Sequence, residues 1–179
     1  MILRKAHMRR SVPSVVTAAV VAMGMAAPAW ADNDEFDAAK LAPILREATV
    51  PLDQGLTVSE REGQPISAKY EIKKGVLQLS IYTMAGGKFF GVIVDHKSGA
   101  IEKAEPITDR EDLKNAWARS RAMAKAKMPL VKAVSDAVAS HDGYRAVRVV
   151  PVMMAGVVPV AVITLMKGED VQEIMAKLD

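Results

Sequence analysis

Two runs of alternating apolar residues flank a glycine pair in the middle of this chain. Leu77, Leu79, Ile81 and Thr83 fall on one side of a strand, and Phe90, Val92 and Val94 repeat the pattern after Ala85-Gly86-Gly87. Glycine accepts the positive φ that tight turns require, so Val76 to Val94 predicts a hairpin. Upstream, Ile66, Ala68, Tyr70 and Ile72 alternate with Ser67, Lys69 and Glu71, the pattern of a half-buried strand. Downstream, Ala100 to Ala104 can form one short edge strand. Its charges, with Pro106 just after, discourage further pairing. Between them lies Asp95-His96-Lys97-Ser98-Gly99. Asp95, Ser98 and Gly99 are read as a structural turn, the carboxylate accepting backbone amides and Gly99 taking a positive φ.

The flanking segments have helical spacing. Phe36, Leu41, Ile44, Leu45 and Ala48 form an apolar stripe that Pro43 interrupts, by a kink or a restart. Pro51 opens a segment to about Glu62 with Leu52 and Leu56 inward, and Gly55 within it costs about 1 kcal/mol relative to Ala. Thr108-Asp109-Arg110-Glu111 fits a capping box, and the helix after it is expected to turn Leu113, Ala116, Trp117 and Ala124 inward. Pro129 starts another, with Leu130, Val134, Ala137, Val138 and His141 on one stripe and Gly143 as its stop. Tyr144 to Met154 and Val157 to Met166 then read as strands, the second apolar on both faces and so central. Pro151 and Pro159 point to bulges or unpaired edges.

The halves echo each other. Val50-Pro51-Leu52 matches Met128-Pro129-Leu130, Gly63 matches Gly143, and the segment from Ile81 to Gly86 matches that from Ile163 to Gly168. The offsets are 78, 80 and 82 residues, which predicts a duplicated helix-plus-meander unit. Val171, Ile174, Met175 and Leu178 have helical spacing, yet the repeat places a strand there.

Composition changes the picture mainly through the N-terminus. Arg4, Lys5, Arg9 and Arg10 precede thirteen apolar positions, Val15 to Ala27, broken only by Thr17 and Gly24; Ala29-Trp30-Ala31 supplies a small-x-small cleavage pattern. The run is short of the twenty or so residues a membrane anchor needs. The residues after Arg9-Arg10 lack the hydrophobic pair of a twin-arginine signal. A cleavable export leader over residues 1–31, cut after Ala31, is therefore expected, with the periplasm as destination. Removing it leaves 20 basic against 21 acidic residues, so a nucleic-acid partner loses its electrostatic motive. No stable membrane insertion is expected after cleavage. The chain has no cysteine, which excludes disulfides, thiol catalysis and thiolate metal sites.

A helix from Pro51 to Gly63, a strand around Tyr70-Glu71-Ile72, a hairpin, and a strand ending Val94-Asp95-His96-Lys97-Ser98-Gly99-Ala100-Ile101 resembles the PepSY domain. A weaker second copy covers Met128 to Asp179 and lacks the Asp-x-x-Ser-Gly turn. The expected fold class is α+β, as two tandem helix-plus-antiparallel-meander modules. The first spans residues 32–107 and the second, with its linking helix, 108–179. The resemblance implies a noncatalytic role, binding another protein and restraining a peptidase. Unpaired strand edges offer such a partner a physical route.

Candidate chemistry is sparse. Once the leader is gone only His96 and His141 remain as imidazole bases, one in a turn and one at a helix end, so no enzyme is expected. Asp95-His96 and His141-Asp142 would hold a metal only if the repeats brought them together, and neighbours on an element rarely face the same way. Met84, Met123, Met128, Met153, Met154, Met166 and Met175 are scattered and mostly coincide with apolar positions, which suits packing better than copper. Arg110, Lys114, Arg121 and Lys125 line one side of the linking helix as a solvated face. No cofactor is expected. The alternative function is a periplasmic sensor or carrier of a small ligand or metal ion.

Overall fold

Local sequence sets where each element begins. A computed structural model describes residues 37–179; the leader over residues 1–31 and the polar start lie outside the described residues. Asp37 caps helix α1 (Ala38–Leu45) by accepting the Lys40 amide at 3.1 Å. The helix runs through Pro43, the sixth of its eight residues, which stands on the exposed side and forgoes one backbone hydrogen bond. Pro51 and Pro129 are the N-caps of α2 (Leu52–Ser59) and α4 (Leu130–Ala139), and a 3-10 turn (Glu60–Glu62) extends α2. For α3 (Arg110–Met123) the cap is Asp109, whose Oδ1 accepts the amides of Glu111 at 2.8 Å and Asp112 at 3.0 Å. The expected Thr108 box is thus displaced by one residue, since a carboxylate is the stronger acceptor.

The strands are β1 (Gln64–Lys73), β2 (Val76–Ala85), β3 (Lys88–Val94), β4 (Ile101–Pro106), β5 (Arg145–Met154), β6 (Val158–Lys167) and β7 (Asp170–Lys177). They make one seven-stranded antiparallel sheet ordered β4-β3-β2-β1-β5-β6-β7. The class is α+β, with four helices among the described residues packed on the sheet. β7 is a strand despite the helical spacing of its apolar residues.

Helices α2 and α4 pack on the face that carries Ala68, Leu79, Ile81, Val92, Val149 and Ile163, all essentially excluded from solvent. Each such Leu or Ile contributes about 1.5–3 kcal/mol through burial. At Gly55 α2 comes close to the sheet: a Cβ there would lie 2.6 Å from Leu79 Cδ2. That close approach explains a glycine inside a helix.

α3 packs on the opposite face, and two expectations are corrected there. β1 is buried on both faces, with Ser67 3 % and Lys69 7 % exposed, because it is the middle strand and α3 lies over it. Trp117 is 54 % exposed and Ala124 is exposed, whereas Arg119, Ser120 and Met123 turn inward with Ala116. Trp117 sits edge-on to Phe89, centroids 4.9 Å apart, at the margin of the covered area. The prolines take the unpaired-edge alternative and not the bulge: Pro151 lies past the end of the β1–β5 ladder, and Pro159 lies before the β6–β7 ladder, which starts at Val160 and Lys177. Pro151 and Pro159 pair with Ala161 and Met153 in an unbroken stretch of ladder, and the irregularities fall at Pro65/Ser67, Ile93/Val94 and Ala146/Arg148. The β1–β5 ladder ends at Ala68 and Val149, two residues before Pro151, where a missing N–H costs no pairing to β1. β6 is interior, between β5 and β7, but the middle of the sheet belongs to β1.

The same local geometry recurs in both halves. The amides of Thr49 and Val50 both donate to the His96 carbonyl, and those of Lys127 and Met128 both donate to the Leu178 carbonyl. Lys74-Gly75 and Ala155-Gly156 both turn through positive φ, at 53° and 78° in one hairpin and 48° and 74° in the other. Each first strand is irregular near its start, and the two pair directly through Ala68 and Val149.

Candidate functional site

The face under α3 carries the polar residues of β1 and β2. Alternation puts Ser67, Lys69 and Glu71 there from β1, and register sets Tyr82, Ser80 and Gln78 beside them on β2. Lys69 Nζ lies 3.0 Å from Glu71 Oε2, and both side chains are 9 % exposed. The other carboxylate oxygen of Glu71 accepts from Ser80 Oγ at 2.6 Å and meets Lys73 Nζ at 3.3 Å. From α3, Arg119 donates through Nη1 to Ser67 Oγ at 3.0 Å and places its guanidinium 5.2 Å above the Tyr82 ring. Desolvation raises the Tyr82 hydroxyl above its usual pKa; the charge of Lys69 opposes this, and Asp112 and Glu71 reinforce it. A buried ion pair is tolerable only with its remaining lone pairs satisfied, and Ser80 and Lys73 supply those bonds to Glu71.

Beside this network the sheet is uncovered toward β4, and a groove of about 510 Å³ opens. Ser80, Tyr82, Gly91 and Ile93 form its floor. Lys73 and Glu71 stand on one side, Lys103 and Glu105 on the β4 side, and Asp109 and Asp112 at the start of α3. Gly91 pairs with Tyr82, and a Cβ at Gly91 would meet nothing within 4 Å, so the floor drops to the backbone there. Both signs of charge rim a bed of hydroxyl, aromatic and main-chain groups. Such a groove suits a polar, extended ligand of mixed charge. A second, smaller cavity of about 270 Å³ lies between Met123 and Leu130 and is more apolar.

The residues singled out from sequence lie elsewhere. Asp95 Oδ1 accepts the amides of Lys97 and Ser98, and Gly99 has φ 76°. Its hydrogen bonds to Ser98 and Lys97 hold the Asp95 carboxyl below the usual carboxylate pKa. The turn docks on the α1–α2 connection, where Thr49 Oγ1 donates to the Lys97 carbonyl at 2.6 Å. His141 Nδ1 is 2.7 Å from the Ala137 carbonyl and its ring is edge-on to Tyr144. Among the described residues no three His, Asp or Glu side chains gather as a metal site, so Asp95-His96 and His141-Asp142 do not converge. Of the methionines, Met123 and Met166 are buried, whereas Met154 and Met175 are 45 % and 51 % exposed.

Sequence reasoning missed Lys69, Glu71, Tyr82, Gly91 and Arg119. One signal was present for Arg119, which shares a helical stripe with Ala116, Ser120 and Met123. For Lys69 and Glu71 none was, since a polar strand face under a helix has the same pattern as one under water.

Compared with models of known families, with curated proteins and with solved structures, the chain has no match.

Proposed function

We propose that this chain is an exported, noncatalytic binding module made of two PepSY-like units, and that its groove takes an extended segment of a partner protein. The groove carries the reading. Its glycine floor admits a main chain, and its rim offers Lys73 and Lys103 to acidic side chains and Asp109 and Asp112 to basic ones. The recurring helix–carbonyl docking at His96 and Leu178 supports the two-unit description. The leader read over residues 1–31 makes the periplasm the compartment, and a peptidase held in check is the regulatory outcome this reading expects. No helix among the described residues is long and apolar enough to cross a membrane.

Gly91→Leu provides the test. A Cβ at this position meets nothing within 4 Å, and its φ lies outside the left-handed region. Purified chain is expected to slow hydrolysis of a reporter peptide by a co-exported thermolysin-type peptidase, and Gly91→Leu to lose that effect while melting no lower. Equal inhibition by both proteins would remove the groove from the account. No inhibition by the parent chain, with no envelope protein crosslinked to a photoreactive group at Lys103, would end the protein-partner reading.

A second reading has its own observation. The Lys69–Glu71–Ser80 network and Tyr82 lie directly against the groove, a fixed polar bed of the kind that orients a small ligand. A small charged metabolite that raises the melting temperature of the parent chain but not of Gly91→Leu would favour a sensor or carrier.

A further inference from the structure

We infer that β7 pairs with β7 of a second copy of this chain, antiparallel, about a two-fold axis at Met175. β7 is one edge of the sheet. Glu173, Met175 and Lys177 share one face of it and are all exposed, Met175 by 51 %. Val150 pairs with Val162 and Val162 with Met175, so an apolar row crosses β5 and β6 and stops at the edge. The other edge is closed: on β4, Lys103 binds Glu105 at 2.8 Å and Pro106 ends the strand. On β7, Glu173 and Lys177 make no ion pair among the described residues.

The order Glu-x-Met-x-Lys is its own complement when reversed. An axis at Met175 sets that residue against its copy, and Glu173 of each chain against Lys177 of the other. Ile174 meets Ala176 on the opposite face. Moving the axis to Glu173 opposes two carboxylates, and moving it to Ile174 sets Met175 against Glu173. Charge and apolar pairing therefore select one register. The two sheets become continuous through β7, and the valine row runs across the seam into its symmetry mate. The groove lies beyond the middle strand, at β2 to β4, so dimerisation and groove binding succeed or fail separately.

Sedimentation equilibrium of the purified chain is expected to show a reversible dimer. Glu173→Lys and Lys177→Glu each create two like-charge contacts and should weaken it on the order of tenfold or more. Mixing the two single variants restores both pairs and should return a heterodimer, as should the double variant with itself. Because the chain has no cysteine, Met175→Cys can be joined by a short bis-maleimide, and a covalent dimer is expected in high yield. Circular dichroism confirms that each variant is folded. A monomer at every concentration, a dimer indifferent to both charge reversals, or a failure of the mixed variants to associate would overturn the assignment.

Discussion

Arg119 on α3 reaches across the sheet to donate to Ser67 Oγ on β1 at 3.0 Å, and both residues are buried. The bond joins positions 52 apart and fastens α3 over the middle strand, with the guanidinium also lying on the Tyr82 ring. Arg119→Ala is expected to lower unfolding free energy by about 2–4 kcal/mol, from lost hydrogen bonding, cation–π contact and alkyl packing. Ser67→Ala should cost about 1 kcal/mol. Urea unfolding of both single variants and the double variant measures the coupling. Strict additivity would mean that the bond is not what holds α3 down.

Gly55 makes a sharper case, because helix propensity and packing oppose each other there. Gly55→Ala gains about 1 kcal/mol of propensity. It also drives a methyl to 2.6 Å from Leu79 Cδ2, a side chain with no exposed surface. Overpacking of this kind costs about 1–3 kcal/mol, so a net loss is expected. In a Leu79→Ala background the same substitution should turn stabilising. Thermal melts of the four proteins decide it, and a gain in the parent background would contradict the close approach.

The acid limb of stability should be set by exposed carboxylates that cap and turn the chain. Bonds from Ser98 and Lys97 depress Asp95, and the amides of Asp112 and Glu111 depress Asp109. A lowered folded pKa means stabilisation that is full above the unfolded value of 3.8 and is lost as pH falls through the lower folded value. The denaturation midpoint is expected to drop steeply below about pH 4, near the free carboxylate range. Asp109→Asn should lower the midpoint at neutral pH and flatten that drop, which a series of melts from pH 2 to about 7 would show.

At the alkaline end the tyrosines carry the signal. Burial raises Tyr70 and Tyr82, and the hydrogen bond to Asp170 raises Tyr144, so all three tyrosines of the chain stand above the usual 10.0. A raised folded pKa contributes stability that is full below the unfolded value and is lost as pH rises through the folded one. Phenolate absorbance is expected to develop above pH 10 in the folded chain and near 10 in urea. Overlapping titrations with and without urea would mean that Tyr70 and Tyr82 are not enclosed as described.

What the chain's sequence determined by itself is local. Alternation located β1, β2 and β3, Pro51 and Pro129 located two helix starts, and Ala85-Gly86-Gly87 located a turn, because period and φ preference act over a few residues. The offset of about eighty residues placed β7 correctly against its own helical spacing. Tertiary structure alone decided which face α3 would cover. That choice buried Ser67 and Lys69, exposed Trp117 and left the groove at Gly91. The reason is physical: a polar residue on a strand has the same neighbours in sequence whether water or Arg119, 52 positions from Ser67, satisfies it. Only the folded chain distinguishes the two.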